Sequence, residues 1–275
     1  MGREVGTHSA HRAAGDRLPG GPARPVHGRV RHLAVCFLNR LPEALLLDAL
    51  GTLVALEPPA PRLRRALSSG FGISVSESDA KRAIAAEIAY YRSHLDEGRD
   101  EATLAGLRRA CAQAMGGALP SEARERLDPE ACVSLLLRSL EFSAFEDVRP
   151  SLRDLRDRGL RLVVVSNWDV SLTDVLRRLD LTCLLDGVVT SAGAGARKPE
   201  AAIFKRALHL AHAAPSRAAH VGDSLVEDVE GARGAGIEAI LLRRDGSSGP
   251  PGVKTIPSLA DLPAAIEDQP PVAEP

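Results

Sequence analysis

The stretch from Glu43 to Thr52 reads EALLLDALGT, and its reading decides the fold. Ala44-Leu45-Leu46-Leu47 is a short apolar run with the length of a buried strand. It delivers the carboxylate of Asp48 to a turn closed by Gly51 and Thr52, which is where an open α/β sheet keeps its chemistry. An aspartate in that position serves either as a turn or cap residue or as a nucleophile. The stretch alone leaves both readings open.

Working outward, helix and strand patterns alternate from about Arg149 onward. Leu152 to Arg158 reads as a helix ended by Gly159, and Arg161 to Val165 is an apolar, β-branched run ending in Ser166-Asn167. A helix is expected over Ser171 to Leu179, a strand near Gly187 to Thr190, a loop from Ser191 to Pro199 and a helix over Ala201 to Ala211. A short strand at His220-Val221 then meets Gly222-Asp223, followed by a helix from Val226 to Arg233 and a strand from Glu238 to Leu242. Gly246 to Gly252 reads as a flexible loop and Ser258 to Ile266 as the last helix. Strands separated by helices of about ten residues imply parallel pairing with right-handed crossovers, hence a Rossmann-like parallel sheet flanked by helices.

Parallel strands gather their carboxyl ends at one edge. Asp48, Ser166-Asn167, Lys198-Pro199, Gly222-Asp223 and Asp228 all fall at or just after such ends, so the fold assembles a carboxylate, a hydroxyl, a cation and two further carboxylates. Carboxylates so crowded need a cation to remain ionised together, and hard oxygen ligands suit Mg²⁺ better than zinc. A small electrophile carrying anionic oxygens would satisfy Thr52, Ser166 and Lys198. Lysine usage supports a role for Lys198: only Lys81, Lys198, Lys205 and Lys254 are lysines among 35 basic residues, the rest being arginine. A compact ammonium differs from a planar guanidinium at a crowded anionic site.

Between the Asp48 turn and the alternating region, Pro58, Pro59 and Pro61 predict an irregular, stiff exit from the sheet. Helical patterning then runs for almost ninety residues, with no strand signal. Its clearest piece is Ser76 to Leu95, where Ser76 is a candidate N-cap and Ala80, Ile84, Ile88 and Tyr91 return at helical spacing. Further helices are expected at Glu101 to Met115 and Pro129 to Leu140. Residues 58–145 therefore read as a helical module inserted into a sheet domain made of residues 41–57 and 146–268.

The ordered set DALGT, VVVSN, Lys198 and GDSLVED resembles the haloacid dehalogenase (HAD) superfamily of hydrolases, over about Ala44 to Leu242. The inserted helices sit where members with a helical cap carry it. The resemblance implies nucleophilic attack by Asp48, substrate orientation by Thr52 and Ser166, and charge neutralisation by Lys198. It also implies Mg²⁺ held by Asp48, the backbone carbonyl of Leu50, Asp223 and, directly or through water, Asp228. The cap would close over the site and choose the substrate. Candidate substrate contacts are Asn167 and Trp168 after the second motif and, on the cap, Tyr91 and Arg92. The bland alternative for the cap pair is core packing for the tyrosine and solvent for the arginine.

One position departs from the family pattern. Phosphatase members place a second aspartate two residues after the nucleophile, to protonate the leaving alkoxide and then activate water; here that position is Leu50. Loss of a positioned acid or base costs on the order of 10²–10⁴ in rate. Substrates with good leaving groups, such as acyl or aryl phosphates or a carbon-bound halide, suffer least. Leu50 points toward 2-haloacid dehalogenation, whereas the Gly222-Asp223 pair points toward Mg²⁺-dependent phosphate transfer. A phosphonate-hydrolase branch would need a cap lysine as Schiff base, and Lys81 is the cap's lysine. His94 and Asp169 are candidate stand-ins for the missing acid. A low-turnover anion-binding or regulatory protein is the reading from another class.

Composition bounds the rest. The 275 residues carry 35 basic and 36 acidic side chains, so no global field recruits nucleic acid or a membrane surface. Aromatics make up 3% of the chain, so the core must be built from Leu, Val, Ile and Ala. Cys36, Cys111, Cys132 and Cys183 are widely spaced and read as reduced, mostly buried thiols. No apolar run approaches the length of a membrane span. A cytoplasmic protein, monomeric or homodimeric, acting on a small anionic substrate is expected. Residues 1–40, rich in Arg with His, Gly and Pro, and residues 269–275 have the composition of disordered tails.

Overall fold

The computed structural model describes residues 41 to 267. The basic segment 1–40, Cys36 within it, and the C-terminal tail lie outside the described residues.

The first strand, β1 (Ala44–Leu47), is buried along its whole length. After the Asp48 turn come β2 (Val54–Leu56), α1 (Pro59–Phe71), α2 (Glu77–His94), α3 (Glu101–Gly117), α4 (Ser121–Glu125), α5 (Pro129–Ser139) and β3 (Phe142–Ala144). The chain then runs through α6 (Val148–Asp157), β4 (Arg161–Ser166), α7 (Leu172–Arg178), β5 (Gly187–Thr190), α8 (Ser191–Ala194) and α9 (Ala201–Ala211). The series closes with β6 (Ala218–Gly222), a π-helical turn over Leu225–Glu230, α10 (Gly231–Gly234), β7 (Glu238–Leu242), β8 (Lys254–Ile256) and α11 (Leu262–Glu267).

Six strands form one parallel sheet in the order β5-β4-β1-β6-β7-β8. The strand order reverses beside β1, and such a switch point opens a crevice at the carboxyl ends of the strands. Leu47 pairs with Val164 on one side and Val221 on the other. One residue further, Asp48 comes level with Gly222 and is brought next to Asp223. The two-residue period of β1 splits its side chains between the sheet faces. Leu45 and Leu47 pack with Leu152, Leu155, Leu176 and Leu262, while Ala44 and Leu46 pack with Ile203, Phe204 and Ala232. Each fully buried leucine contributes roughly 1.5–3 kcal/mol, so β1 is locked in register by both layers.

Helices α1 to α5 bury a third apolar cluster, including Leu63, Leu67, Ala80, Ile84, Cys111, Met115 and Leu135. The Ser76 hydroxyl accepts from the Asp79 amide at 3.0 Å, as the sequence predicts for the start of α2. Asp100 and Asp128 cap α3 and α5 in the same way.

Three local expectations are corrected. The prolines do not make an irregular exit: Pro59 and Pro61 fall in the first turn of α1, where a missing N–H costs nothing. The inserted helices are bracketed by strands, β2 and β3, paired antiparallel with Val54 opposite Ala144 and Leu56 opposite Phe142. Strands of three residues carry too little alternation to be read. Cys183 is exposed, while Cys111 is buried and Cys132 half-buried. Among the described residues no helix is long and apolar enough to cross a membrane.

Glu87 was not anticipated in the core. It lies on the buried face of α2 at 4% exposure, and burial pushes its carboxyl up to about 7 despite a hydrogen bond with Cys111. Between the ordinary carboxylate pKa and about 7 the folded state therefore binds a proton that the unfolded chain releases, and stability falls as pH rises through that window. The whole shift corresponds to on the order of 3 kcal/mol. Denaturant unfolding at pH 5 and pH 8 is expected to show a smaller loss of stability for Glu87→Gln than for the parent. Equal losses would contradict the burial of an ionisable group there.

Candidate active site

Asp48 sits one residue beyond β1 with its amide bonded to the Val221 carbonyl at 3.0 Å. The following turn folds back so that the Leu53 and Val54 amides both donate to the Ala49 carbonyl. Gly51 adopts φ +82°, and a Cβ there would lie 2.1 Å from Asp223 Oδ2. The turns carrying Asp48 and Asp223 are thus in direct apposition, and only glycine permits it. On β6, a Cβ at Gly222 would collide with the Asp228 carboxylate at 2.1 Å. The π-helical winding presents that carboxylate, whose Oδ2 accepts from the Ser224 amide at 2.9 Å. Single π turns are frequent where a helix must aim a functional group.

Lys198 is 2% exposed and donates from Nζ to Asp48 Oδ1 at 2.6 Å and to Asp228 Oδ1 at 2.5 Å. Ser166 Oγ donates to the same Asp48 Oδ1 at 3.0 Å. Both side-chain donors therefore converge on one carboxylate oxygen. His220, fully buried on β6, places Nε2 2.9 Å from Asp228 Oδ1.

The protonation balance follows from this packing. Burial raises the Asp48 pKa, opposed by Lys198 and reinforced by Asp228. Burial acts to raise that of Asp228 too, but Lys198 and His220 hold it well below the usual carboxylate range. Burial alone would lower the Lys198 pKa; Asp48 and Asp228 outweigh it and raise it. Asp223 is pushed up to about 6 by burial and by the charges of Asp48 and Asp228. The Lys198 charge offsets this in part, and no side chain among the described residues is hydrogen-bonded to the Asp223 carboxylate.

The residues fit a divalent cation. Asp48, Asp223 and Asp228 each offer an oxygen, and these atoms lie within 4.8 Å of one another. Three negative carboxylates share one lysine, so a hard cation would supply the missing charge. Leu50, whose carbonyl is the expected fourth ligand, sits in the same turn and is 42% exposed.

The other sequence candidates are placed differently. Thr52 is fully buried, and its hydroxyl has no hydrogen-bond partner. Asn167 spends its amide on Lys198: Nδ2 donates to the Lys198 carbonyl at 3.0 Å and Oδ1 accepts from its amide at 2.7 Å. It fixes the loop that carries the lysine, where a substrate contact was expected. Trp168 is packed in the core with its ring 5.1 Å from that of Phe142, not at a pocket mouth. Tyr91 donates its hydroxyl to Asp169 Oδ2 at 3.0 Å, and Arg92 lies on the exposed side of α2. Asp169 also accepts from the Ser171 amide, and His94 stacks on Tyr90 with Nδ1 2.8 Å from the Tyr90 carbonyl. Both are engaged away from the Asp48 cluster. Lys81 is exposed and paired with Glu77 at 2.6 Å, so nothing in its surroundings favours a Schiff-base role.

Sequence reading missed His220, Ser224, and the contacts by which the inserted helices meet the sheet domain. Arg197 pairs with Asp96 just after α2, and the Val170 amide donates to the Gly98 carbonyl at 3.0 Å. Together with Tyr91 and Asp169, these place the helical insertion against the loops that follow Ser166 and precede Lys198.

With this geometry, the sequence model of the haloacid dehalogenase-like hydrolases matches residues 42–236. The chain belongs to that family. Among curated proteins, the HAD-like hydrolase shares 39% identity over 137 residues with the "Haloacid dehalogenase-like hydrolase domain-containing protein 3" of Bos taurus. That match covers 46% of this chain and 53% of the bovine protein, so it spans about half the relative's length. The glyceraldehyde 3-phosphate phosphatase of Methanothermobacter thermautotrophicus is 37% identical over 102 residues, 37% of this chain and 45% of that one. Among solved structures, a HAD phosphatase from Thermococcus onnurineus superposes with a TM-score of 0.57 at 26% identity, covering 81% of this chain and 96% of that one. The HAD-like hydrolase therefore has both the sheet topology and the ordered strand-end residues of its family.

Proposed function

We propose that this HAD-like hydrolase is a Mg²⁺-dependent phosphatase that acts on a small phosphorylated molecule through an aspartyl-phosphate on Asp48. The observation that carries the reading is the carboxylate triad of Asp48, Asp223 and Asp228, in which Lys198 hydrogen-bonds Asp48 and Asp228 but not Asp223. Displacement of halide from carbon by Asp48 would not require Asp223. Phosphatase names among the archaeal relatives support the same reading.

In this account Asp48 attacks phosphorus, and the bond from phosphorus to the leaving oxygen breaks. Lys198 and Ser166 hold Asp48 Oδ1 and fix the orientation of the carboxylate for attack. Bound Mg²⁺ would neutralise phosphate oxygens and align them with the nucleophile. Thr52 Oγ1, which the resemblance expects to orient a substrate oxygen, is fully buried and without a partner. Leu50 has no proton to give, so acyl and aryl phosphates are preferred over alkyl phosphates. That same leucine favours the runner-up, 2-haloacid dehalogenation, and a third reading in which the anion pocket remains but turnover is slow.

A substrate panel tests the proposal: aryl, acyl and alkyl phosphates and 2-chloropropionate, each with Mg²⁺ and with EDTA. Phosphate release that EDTA abolishes, fastest from the aryl and acyl substrates, is expected. Halide release that survives EDTA would overturn the phosphatase reading, and anion binding without turnover would favour the third.

A further inference from the structure

Two consecutive arginines at the end of β7 reach the backbone of both apposed turns. Arg244 donates from Nε to the Gly51 carbonyl at 3.2 Å and from Nη2 to the Thr52 carbonyl at 2.7 Å. Its Nη1 meets the Asp147 carboxylate at 3.1 Å, and its guanidinium lies 3.7 Å from the centre of the Phe145 ring. Asp147 is itself anchored, accepting from Ser258 Oγ at 2.7 Å and from the Leu259 amide at 2.8 Å. Arg243 donates from Nη1 to the Asp223 carbonyl at 2.5 Å, while its own amide is tied to the Ile256 carbonyl of β8 at 2.9 Å.

We propose that Arg243 and Arg244 form a brace that sets the distance between the Asp48 turn and the Asp223 turn, and that Arg244 is a positioning residue for the metal-bearing site. The Asp48 turn has φ +82° at Gly51 and no room for a side chain against Asp223, so small shifts of either turn change the spacing of the carboxylates. The sheet holds Asp48 itself, through its amide on the Val221 carbonyl, but not Gly51, Thr52 or Asp223, which lie beyond the last ladder residues of β1 and β6. A planar fork satisfies two adjacent carbonyls and a carboxylate at once, and ring stacking and Asp147 fix its plane. A lysine at the same position keeps the charge and the pair with Asp147, but it cannot span Gly51 and Thr52 in one rigid unit. Groups that orient metal-site residues from behind typically matter by 10–100-fold in affinity or activity.

The inference rests on the phosphatase reading for its kinetic consequence and on geometry alone for the brace. Its test therefore compares the parent with Arg244→Lys in two independent ways. Amide exchange at Thr52 to Val54 is expected to be at least about tenfold faster in Arg244→Lys, with the unfolding midpoint nearly unchanged; this arm needs neither substrate nor metal. In calorimetric titration with Mg²⁺ and in aryl phosphate kinetics, affinity for the ion and kcat are expected to fall about 10–100-fold, with KM changing much less. Failure of the parent to bind Mg²⁺ would strike the phosphatase reading, and the exchange comparison would still decide the brace. Unchanged exchange in a folded Arg244→Lys protein overturns the brace. Faster exchange with unchanged ion affinity and kcat overturns the positioning role.

Discussion

Asp48→Asn is expected to lower turnover by at least about 10⁴-fold, a loss on the order of 5 kcal/mol of transition-state stabilisation. An amide cannot form the covalent intermediate, and no other carboxylate has the same environment. Asp228 is tied to Lys198, His220 and the Ser224 amide, and Asp223 approaches from the opposing turn. The substitution should leave the fold intact. Asn fills nearly the same volume, removes one of three crowded negative charges, and leaves Lys198 paired with Asp228. Thermal unfolding of the variant at or above the parent's midpoint, together with lost turnover, is the expected pair of results. An active, folded variant would contradict the nucleophile assignment.

Leu50→Asp is expected to raise the rate on alkyl phosphates by on the order of 10²–10⁴, with a much smaller change on aryl phosphates. The residue at this position is 42% exposed, so a carboxylate there is not driven into an apolar core. It would stand two residues from Asp48 in the same turn, able to protonate a departing alkoxide and then activate water. Steady-state kinetics on one alkyl and one aryl phosphate read the difference directly. Equal or lower alkyl phosphate activity in a folded variant would count against Leu50 as the cause of slow turnover on poor leaving groups.

How much of this was legible in the sequence depended on whether a residue acts through its own pattern or through distant partners. The run Ala44 to Leu47 and the β-branched run before Ser166 are buried on both faces, and such strands carry a strong apolar signal. The strand-end polar residues followed from parallel topology, because parallel strands bring their carboxyl ends together whatever lies between. Asp48, Ser166, Lys198 and Asp228 do converge, linked by hydrogen bonds of 2.5–3.0 Å. Asp223 joins them in the carboxylate triad.

Other features had no local signature. The β2 and β3 strands are three residues each, and β8 follows a loop rich in Gly and Pro, so neither period nor composition marks them. Asn167 looked like a pocket residue because it follows Ser166, but its amide geometry matches the backbone of Lys198, thirty-one residues away. Trp168 was misplaced for a similar reason: proximity to the motif says nothing about which way a ring points. Glu87 breaks the apolar period of α2, and only the packing of α3 against it shows that it is buried. Arg243 and Arg244 were two arginines among many until their carbonyl partners, nearly two hundred residues earlier for Arg244, came into view.

The central claim is that the bond broken lies at phosphorus and that no carbon ester forms on Asp48, and oxygen isotope tracing tests it most directly. After many turnovers in ¹⁸O-labelled water, hydrolysis of an aspartyl-phosphate by attack of water on phosphorus puts the label in released phosphate. Hydrolysis of a carbon ester of Asp48 by attack on its acyl carbon puts the label in the aspartate itself. Mass spectrometry of released phosphate and of the peptide containing Asp48 is expected to find ¹⁸O in phosphate and none in Asp48. Label accumulating in the Asp48 carboxylate, with unlabelled phosphate, would contradict the account.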